Sequence, residues 1–522
     1  MAFTQNAAVE RASLAVVNGH VWPPRDRVTA VAVVGDRIVA SGSDAHVRSL
    51  CDRSTRLIDA RGGTILPAFN DAHVHFLMAS RSLGELDLHG AETQADVEHR
   101  IARYAASHRG PWIVGRGWFY STFPGGMPTV ELLDRLVPDR PAYIESFDAH
   151  TGWANTRALT ASGVASTGVL KEAALLGVTR HIPARSKDED LEALRAGMRV
   201  AAEHGIGSVQ EAGEGQDQLE LWDALRDADE LTLRVRLAFD MVPGLDFAAW
   251  IERLDLYEGE FRARKANPWV STGILKAFAD GVVESRTAAL LEPYEGTALR
   301  GEPLWAPDEL AQAIRPADAR GWQVQVHAIG DAAIRQALDA FAGATPELRH
   351  RIEHIEAPSP LDIPRFAELG VIASMQPQHA EPNRNLFEVW LPHLGPDRAA
   401  YGWPWRTILH SGARIAFGTD WPVVPLDPMA SLQVAVTRQT RTGEPAGGWL
   451  PDQRLKLAEA LAAWTFGGAF AEHSEDRKGT LADGMLADIA VLERDVLKTP
   501  VSDVHALKVR ATIVGGRVVY EG

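Results

Sequence analysis

Cysteine is nearly missing from this sequence. Cys51 is the single cysteine among 522 residues, so the chain cannot form an intramolecular disulfide, and a zinc-finger site is excluded. Cys51 also falls in a segment of short predicted strands near the start of the chain, which makes it a poor candidate for a catalytic nucleophile. Any catalysis must therefore use other side chains.

An excess of positive charge is missing as well. Lys and Arg number 53 and Asp and Glu number 69, which gives a formal net charge of −16 at pH 7. Such an acidic chain repels phosphate backbones, so nucleic-acid binding is not expected as a main role. No stretch approaches ~18 uncharged apolar residues, as a membrane span would require, and Glu10 and Arg11 stand where a signal peptide needs an apolar core. We expect a cytoplasmic protein with no membrane partner.

Hydrophobic residues are plentiful by contrast, at 46% of the chain. This is ample for a large core, and the length suggests about two or three domains. Residues 13–65 contain short strand patterns, with a strong hairpin turn at Asn18-Gly19. Residues 486–522 repeat the pattern at the other end of the chain. The two ends together predict one small β-sandwich domain.

The centre of the chain alternates short strand patterns with helical ones. Repeated β-then-α units imply a parallel sheet, and at this length a (β/α)₈ TIM barrel is the leading α/β architecture. Between residues 76 and 187 the alternation breaks, which predicts an insertion after barrel strand 1. The predicted domains are the β-sandwich, from residues 1–65 and 478–522, and the barrel, residues 66–477 with the inserted segment 76–187.

The stretch PAFNDAHVHF, residues 67–76, places two histidines one residue apart. Side chains alternate along a strand, so His73 and His75 point the same way. Two imidazoles on one side of a strand can hold a single metal ion. Because so short a motif also matches by chance, surface histidines on a half-buried strand are the alternative, and the rest of the chain must decide.

Other polar side chains end the later strand-like runs, where the catalytic residues of such barrels lie. These residues are Lys276, His327, His354 and Asp420. The separation of His327 and His354 fits one β/α unit. The separation of His354 and Asp420 leaves room for two such units. Hydrogen-bonded core histidines and a turn-capping aspartate are the structural alternatives. The set as a whole is far more specific than the two neighbouring histidines alone.

As a set, the motifs resemble the amidohydrolase superfamily of metal-dependent hydrolases. More narrowly they resemble its amidohydrolase 3 or YtcJ-like branch, which includes N-substituted formamide deformylase. The resemblance covers nearly the whole chain, from the first predicted sandwich strands to LADGMLADIAVLE near the end. The motifs that carry it are PAFNDAHVHF, SFDAHTGWANTRAL, LKAFADGVVESRTAAL, VHAIGDAAI, RIEHIEA, SMQPQHA and FGTDWPV.

The resemblance implies two divalent metal ions, expected to be Zn²⁺. His73 and His75 would bind the more buried ion, and His327 and His354 the second. Asp420 would also ligate the first ion and serve as general base and acid. In such a site the metal lowers the pKa of bound water, and the resulting hydroxide attacks a carbonyl carbon. Asp420 would take the proton and pass it to the leaving group.

The resemblance also implies a chemical modification of Lys276. An ammonium group has no lone pair and repels cations, so an unmodified lysine among metal ligands would be unfavourable. The resemblance implies that CO₂ carboxylates Lys276 to a carbamate that bridges the two ions. The alternative is a lysine that forms an ion pair with Asp280 or Glu284.

Four further residues are candidates for contact with the substrate. His150 and Trp153 in DAHTGWAN resemble a pocket motif of the family, and His379 follows the seventh strand-like run. Trp118 could roof the pocket. Relatives commonly carry an aspartate directly after that tryptophan, whereas this chain has Phe119, so we expect a more apolar site. Ordinary packing or loop positions are the alternative for each.

The leading hypothesis is a hydrolase that attacks a non-peptide carbon–nitrogen bond of a small molecule, of the amide, N-formyl or carbamate type. Ester or lactone hydrolysis is the nearest alternative, because the same nucleophile attacks either carbonyl. A metal-dependent isomerase or decarboxylase and a non-enzymatic binding protein are the others. The sequence leaves open the substrate, the number of metal ions and the oligomeric state, with a homodimer as one alternative.

Overall fold

A computed structural model describes residues 11–244, 246–265 and 267–522. Its centre is an eight-stranded parallel sheet whose strands pair in chain order. We number them barrel strands 1 to 8: Phe69–Val74, Ile206–Glu211, Arg234–Asp240, Val270–Phe278, Gln323–Ala328, Arg351–His354, Ile372–Met375 and Ile415–Phe417. These runs are almost wholly buried because helices cover their outer face and side chains fill the interior. The predicted (β/α)₈ barrel is confirmed.

Helices alternate with the barrel strands. They are Phe76–Ser82, Lys187–Glu203, Gly215–Asp227, Phe247–Arg264, Glu309–Asp318, Asp331–Phe341, Ile363–Glu368, Trp405–His410, Pro428–Thr437 and Leu457–Ala462. The first long one illustrates why they begin where they do: Ser186 accepts from the Glu189 N–H, while the Glu189 carboxylate accepts from the Ser186 N–H. Among the described helices, none is long and apolar enough to cross a membrane.

Two smaller sheets lie outside the barrel, the first built from the N-terminal segment and the second from both ends of the chain. One contains Leu14–Val17, Ala30–Val34, Arg37–Gly42 and Arg56–Asp59; the other contains His20–Val21, Thr64–Pro67, Ile489–Leu492, Val509–Val514 and Arg517–Glu521. Apolar side chains from both sheets form one shared core. The predicted two-ended sandwich is therefore confirmed, while its domain boundaries stay a prediction. Residues 1–10 of the first predicted segment, with Glu10, lie outside the described residues.

The predicted insertion after barrel strand 1 is also confirmed. It forms a five-stranded sheet from Leu86–Asp87, Ile113–Trp118, Ala142–Ser146, Thr151–Ala154 and Val169–Lys171. The helices Gln94–Ser107, Val130–Leu136 and Thr156–Ser162 accompany it. The insertion has a hydrophobic core of its own, around Trp118, Trp153 and Ile144.

A buried ion pair joins the sandwich to the barrel. Arg234, the first residue of barrel strand 3, donates from Nε and Nη2 to the two carboxylate oxygens of Asp488, at 2.7 and 2.9 Å. Asp488 directly precedes a sandwich strand and also accepts from the Gly515 N–H at 2.8 Å. Both side chains are almost fully buried, so each charge depends on the other for its compensation.

We expect Asp488→Asn to destabilise the fold because it leaves the Arg234 guanidinium buried without a counter-ion. Breaking a buried pair in this way costs about 3–5 kcal/mol, measurable as lost free energy of unfolding in urea at pH 7. The matched control is Asp255→Asn, which breaks an exposed 2.8 Å pair with Arg320 and should cost less than about 1 kcal/mol. Equal losses in the two variants would contradict the role given to the buried pair.

The same pair makes stability depend on pH. Burial alone would raise the pKa of Asp488, but the charge and hydrogen bonds of Arg234 lower it below its ordinary value. A carboxylate of this kind stabilises the fold above its unfolded pKa of about 4 and loses that contribution as the pH falls toward its folded pKa. The stability difference between wild type and Asp488→Asn should hold from pH 7 to about 5 and shrink below about 4. A difference that grows in acid would be the opposite result.

Candidate active site

Histidine and aspartate side chains gather at the C-terminal ends of the barrel strands. His73, His354 and Asp420 place one potential ligand atom each within 4.8 Å of one another. His75 joins them, with Nε2 3.4 Å from Asp420 Oδ1, the same distance as from His73 Nε2 to that oxygen. The His327 ring packs 4.5 Å from that of His354, centroid to centroid. The five predicted imidazole and carboxylate ligands thus form one cluster.

The three residues that lie closest together, His73, His354 and Asp420, are not the predicted ligands of a single ion. His73 was assigned to one ion and His354 to the other, yet their ring centroids lie only 4.9 Å apart. The individual ligand assignments stay predictions. The spacing is compact enough for either a single ion or two neighbouring ions that share ligands.

Unpaired polar atoms mark the centre of the cluster. His73 Nε2, Asp420 Oδ1 and Lys276 Nζ are buried, and none has a hydrogen-bond partner in the described part of the chain. Buried polar atoms are otherwise almost always hydrogen-bonded. A lone-pair nitrogen and a carboxylate oxygen aimed at the same small space are the donors that zinc-type ions bind. The residues present therefore fit a divalent metal ion.

Burial sets the protonation of these side chains. It lowers the pKa of His75 to about 3 and lowers the pKa of His327 and His354 well below the ordinary histidine value. All three rings are therefore neutral at pH 7, the form that binds metals. Burial alone would raise the pKa of Asp420, but the charge of the neighbouring His73 lowers it, so this carboxylate is ionised.

Lys276 lies on barrel strand 4 with its ammonium nitrogen 4.4 Å from the Phe278 ring centroid. Within the described residues no carboxylate oxygen lies within 4.0 Å of it, so the ion pair with Asp280 or Glu284 is not formed. Burial lowers the pKa of Lys276 to about 8, which leaves a fraction of free amine near neutral pH. Asp280 instead accepts from the Ala289, Ile329 and Gly330 N–H groups at 2.8–3.0 Å.

Asp71 explains why barrel strands 1 and 8 meet at the cluster. Its Oδ1 accepts from the N–H groups of His73 and Thr419, at 3.2 and 3.0 Å, and its Oδ2 accepts from the Thr419 hydroxyl at 2.6 Å. The Asp420 N–H then donates to the His73 carbonyl at 2.7 Å. Asp420 takes a left-handed φ of 60°, a strained conformation typical of functional positions.

Glu353 was not among the predicted site residues, yet it orients His73. Its Oε2 lies 2.6 Å from His73 Nδ1, and its Oε1 accepts from Arg351 Nε at 2.7 Å. Burial alone would raise the pKa of Glu353, but Arg351 and His73 lower it to about 2. The resulting carboxylate keeps the proton on Nδ1, which leaves Nε2 of His73 free for a ligand.

A cavity of about 1100 Å³ opens above the cluster. The insertion forms much of its wall, and its floor includes His75, Lys276, His327, His354 and Asp420. The predicted substrate residues His150 and His379 line it. Phe119 and Phe147 also line it and stack with ring centroids 4.6 Å apart, so the apolar surface expected at Phe119 is present.

The two predicted substrate tryptophans lie elsewhere. Trp118 and Trp153 are both fully buried in the core of the insertion. Their indole N–H groups donate to the backbone carbonyls of Ile144 and Thr129, at 3.1 and 2.9 Å. Neither is among the residues that line the cavity, because the small insertion uses large aromatic side chains to build its own core. Their contact with substrate stays a prediction.

Three carboxylates on the cavity wall were also missed. Asp148 comes from the insertion, Glu284 from the loop after barrel strand 4, and Glu356 from the loop after barrel strand 6. Burial and the charges of Glu356 and Asp148 raise the pKa of Glu284 well above its usual value. His150 has a partner of its own in Glu172, with 2.9 Å between Nδ1 and Oε2.

Comparison with known proteins gives consistent matches over nearly the whole chain. A family model described as "Amidohydrolase family" matches residues 56–520. The putative amidohydrolase YtcJ of Bacillus subtilis (strain 168) is 28% identical over 95% of this chain and 96% of its own. N-substituted formamide deformylase of Arthrobacter pascens is 25% identical over 94% of this chain and 95% of its own. A solved structure of an uncharacterized metal-dependent hydrolase from Pyrococcus horikoshii OT3 has a TM-score of 0.75 and 25% identity, and the match covers 94% of this chain and 99% of that one.

We expect Glu353→Gln to weaken metal binding because it removes the charge that orients His73. Loss of such a supporting carboxylate lowers affinity about 10–100-fold, measurable by competition for Zn²⁺ with a chromogenic chelator. The control is Glu368→Gln, at an exposed position on the helix that follows barrel strand 6, which should bind Zn²⁺ as wild type does. Wild-type affinity in Glu353→Gln would remove the orienting role.

Proposed function

The chain belongs to the amidohydrolase family and is a metal-dependent hydrolase, and on that premise we propose that it cleaves a carbon–nitrogen bond other than a peptide bond. The substrate would be a small amide, N-formyl compound or carbamate. The observation that carries this proposal is a set of buried polar atoms, on His73, Asp420 and Lys276, that have no hydrogen-bond partner in the described residues. Asp420 and Lys276 also line a large cavity. Similarity to N-substituted formamide deformylase supports the choice of bond.

We assign the ligands of the proposed ions as follows. One ion would be held by His73, His75 and Asp420, and a second by His327 and His354, with a carboxylated Lys276 as a ligand to both. When bound, zinc-type ions polarise the substrate carbonyl and lower the pKa of a water molecule. Glu353 serves this arrangement by presenting Nε2 of His73.

Asp420 is proposed as the general base and acid. It is ionised, and because a carboxylate has two oxygens, the oxygen that does not bind the ion could accept the proton of the attacking water. The same carboxyl would return that proton to the leaving nitrogen as the carbon–nitrogen bond breaks. His379 Nε2, 3.7 Å from Asp420 Oδ2, would steady the carboxylate on its other side.

We expect Asp420→Asn to lower kcat by about 10²–10⁴-fold, because an amide side chain cannot accept the proton. The measurement is turnover of a panel of formamides, acetamides and carbamates, with the corresponding esters included, by zinc-loaded protein. Metal content per chain is determined on the same samples, so that loss of the base is separated from loss of the ion.

The control for this experiment is Asp397→Asn, on a short surface helix after barrel strand 7, which should retain wild-type kcat. Undiminished turnover in metal-loaded Asp420→Asn would exclude Asp420 as the base. Cleavage of the esters alone would exclude the proposed bond.

Lys276 gives a separate prediction. Protein prepared with ¹³C-bicarbonate should show a carbamate carbon resonance, which Lys276→Ala should lack because it has no amine. Metal content should fall from about two ions per chain to about one in the variant, since a two-metal site loses its shared ligand. Lys508→Ala, at an exposed position, is the control. A wild-type protein with two ions and no carbamate resonance would contradict the bridge.

A further inference from the structure

Three acidic side chains lie on one wall of the cavity. Asp148, Glu284 and Glu356 all line it. Within the described ranges of the chain, no Lys or Arg nitrogen lies within 4.0 Å of their carboxylate oxygens. Buried or half-buried carboxylates are normally paired, because an isolated charge is costly away from water. The proposed catalytic scheme uses none of the three.

Asp148 has one carboxylate oxygen that accepts hydrogen bonds and one that has no partner within the described residues. Its Oδ1 accepts three hydrogen bonds, from the Ser146 hydroxyl, from the Tyr120 hydroxyl at 3.3 Å and from the His150 N–H at 3.1 Å. Its Oδ2 is buried and has no partner in the described structure. The residue itself is only 7% exposed. The donors on Oδ1 hold the carboxylate in place and leave Oδ2 for a ligand.

Glu284 and Glu356 each accept a hydrogen bond from the same short segment of the chain. Asn385 Nδ2 donates to Glu284 Oε1 at 3.2 Å, and Trp390 Nε1 donates to Glu356 Oε2 at 2.9 Å. Asn385 and Trp390 stand at the two ends of one helical turn that runs through Leu386–Trp390. Both acids therefore accept a hydrogen bond from the same turn.

Arg116 lines the same cavity, and its Nε and Nη1 have no partner within the described residues. Two other basic groups near the wall already have partners. Lys171 Nζ donates to the Ser285 carbonyl at 2.9 Å, and His150 is held by Glu172. Burial, together with the charges of Glu356 and Asp148, raises the pKa of Glu284, and a cation bound beside it would favour the ionised carboxylate. Charge-assisted hydrogen bonds to this wall would therefore stabilise a cationic group of the substrate more than bulk water does.

We propose that the wall formed by Asp148, Glu284 and Glu356 binds a positively charged nitrogen, an ammonium or guanidinium group, of the substrate. The inference rests on the proposed hydrolase function and narrows its substrate class. His379 lies between the wall and the base, 3.6 Å from Glu356 Oε1 and 3.7 Å from Asp420 Oδ2. The substrate is thus an amide or carbamate whose cationic group is separated from the carbonyl by a short spacer, and the Phe119–Phe147 pair offers that spacer an apolar surface.

The test compares two probes of similar shape and different charge. Benzylammonium and benzyl alcohol are titrated into zinc-loaded protein at pH 7 and constant ionic strength, with binding followed by calorimetry. Wild type should bind benzylammonium at least about tenfold more tightly, as expected for hydrogen bonds to charged groups. Asp148→Asn and Glu284→Gln should each lose most of that preference. The matched control is Glu302→Gln, at an exposed position on the loop after barrel strand 4, which should keep the wild-type ratio.

Equal binding of the two probes by wild type would overturn the inference, as would an unchanged preference in both variants. Thermal unfolding checks that each variant is folded, and Glu284→Gln carries the test if Asp148→Asn does not fold. Binding requires no turnover, so the two proposals fail separately. A preference for benzylammonium without hydrolysis of any amide supports the cation wall and counts against the hydrolase proposal, whereas amide hydrolysis without the preference does the reverse.

Discussion

The seam between barrel strands 1 and 8 is the constraint on which the site depends. Asp71 is buried in that seam and receives three hydrogen bonds, two of them from Thr419. Gly418 has no room for a side chain, because a Cβ there would lie 2.5 Å from the His73 nitrogen. The strands must therefore approach closely, and that approach brings His73 and His75 to within reach of Asp420. Ligands far apart in sequence become neighbours only because the barrel closes here.

A polar layer lies directly beneath the cluster and holds it from below. Arg351 contacts Glu353, Gln210 and the Ala72 carbonyl, all of them buried. Glu353 in turn fixes the ring of His73. A fully satisfied network of this kind is rigid, whereas a half-satisfied one would be costly. The charged side chains Arg351 and Glu353 of barrel strand 6 thus orient the ring of His73.

The accuracy of the sequence prediction follows from where each residue lies. His327, His354 and Asp420 end strands of a regular repeat, and a barrel brings strand ends together whatever the loops do. Glu353 could have been found by the same logic, since it precedes His354 in a strand of only four residues. The insertion has no such repeat. The sequence alone does not separate its tryptophans from pocket residues, because large aromatic side chains occur both in hydrophobic cores and in binding pockets. The fold distinguishes the two positions.

The division of labour within the chain has a consequence for substrate choice. The barrel strands supply the groups that activate water, and these groups suit any carbonyl of the right class. The insertion and the loops after barrel strands 4 and 6 supply the groups farther out, namely the Phe119–Phe147 pair, Asp148, Glu284 and Glu356. Loops vary more easily than the elements that carry them. We therefore expect residues outside the barrel strands to decide the substrate class of this protein, since similarity in the metal-binding motifs alone does not fix it.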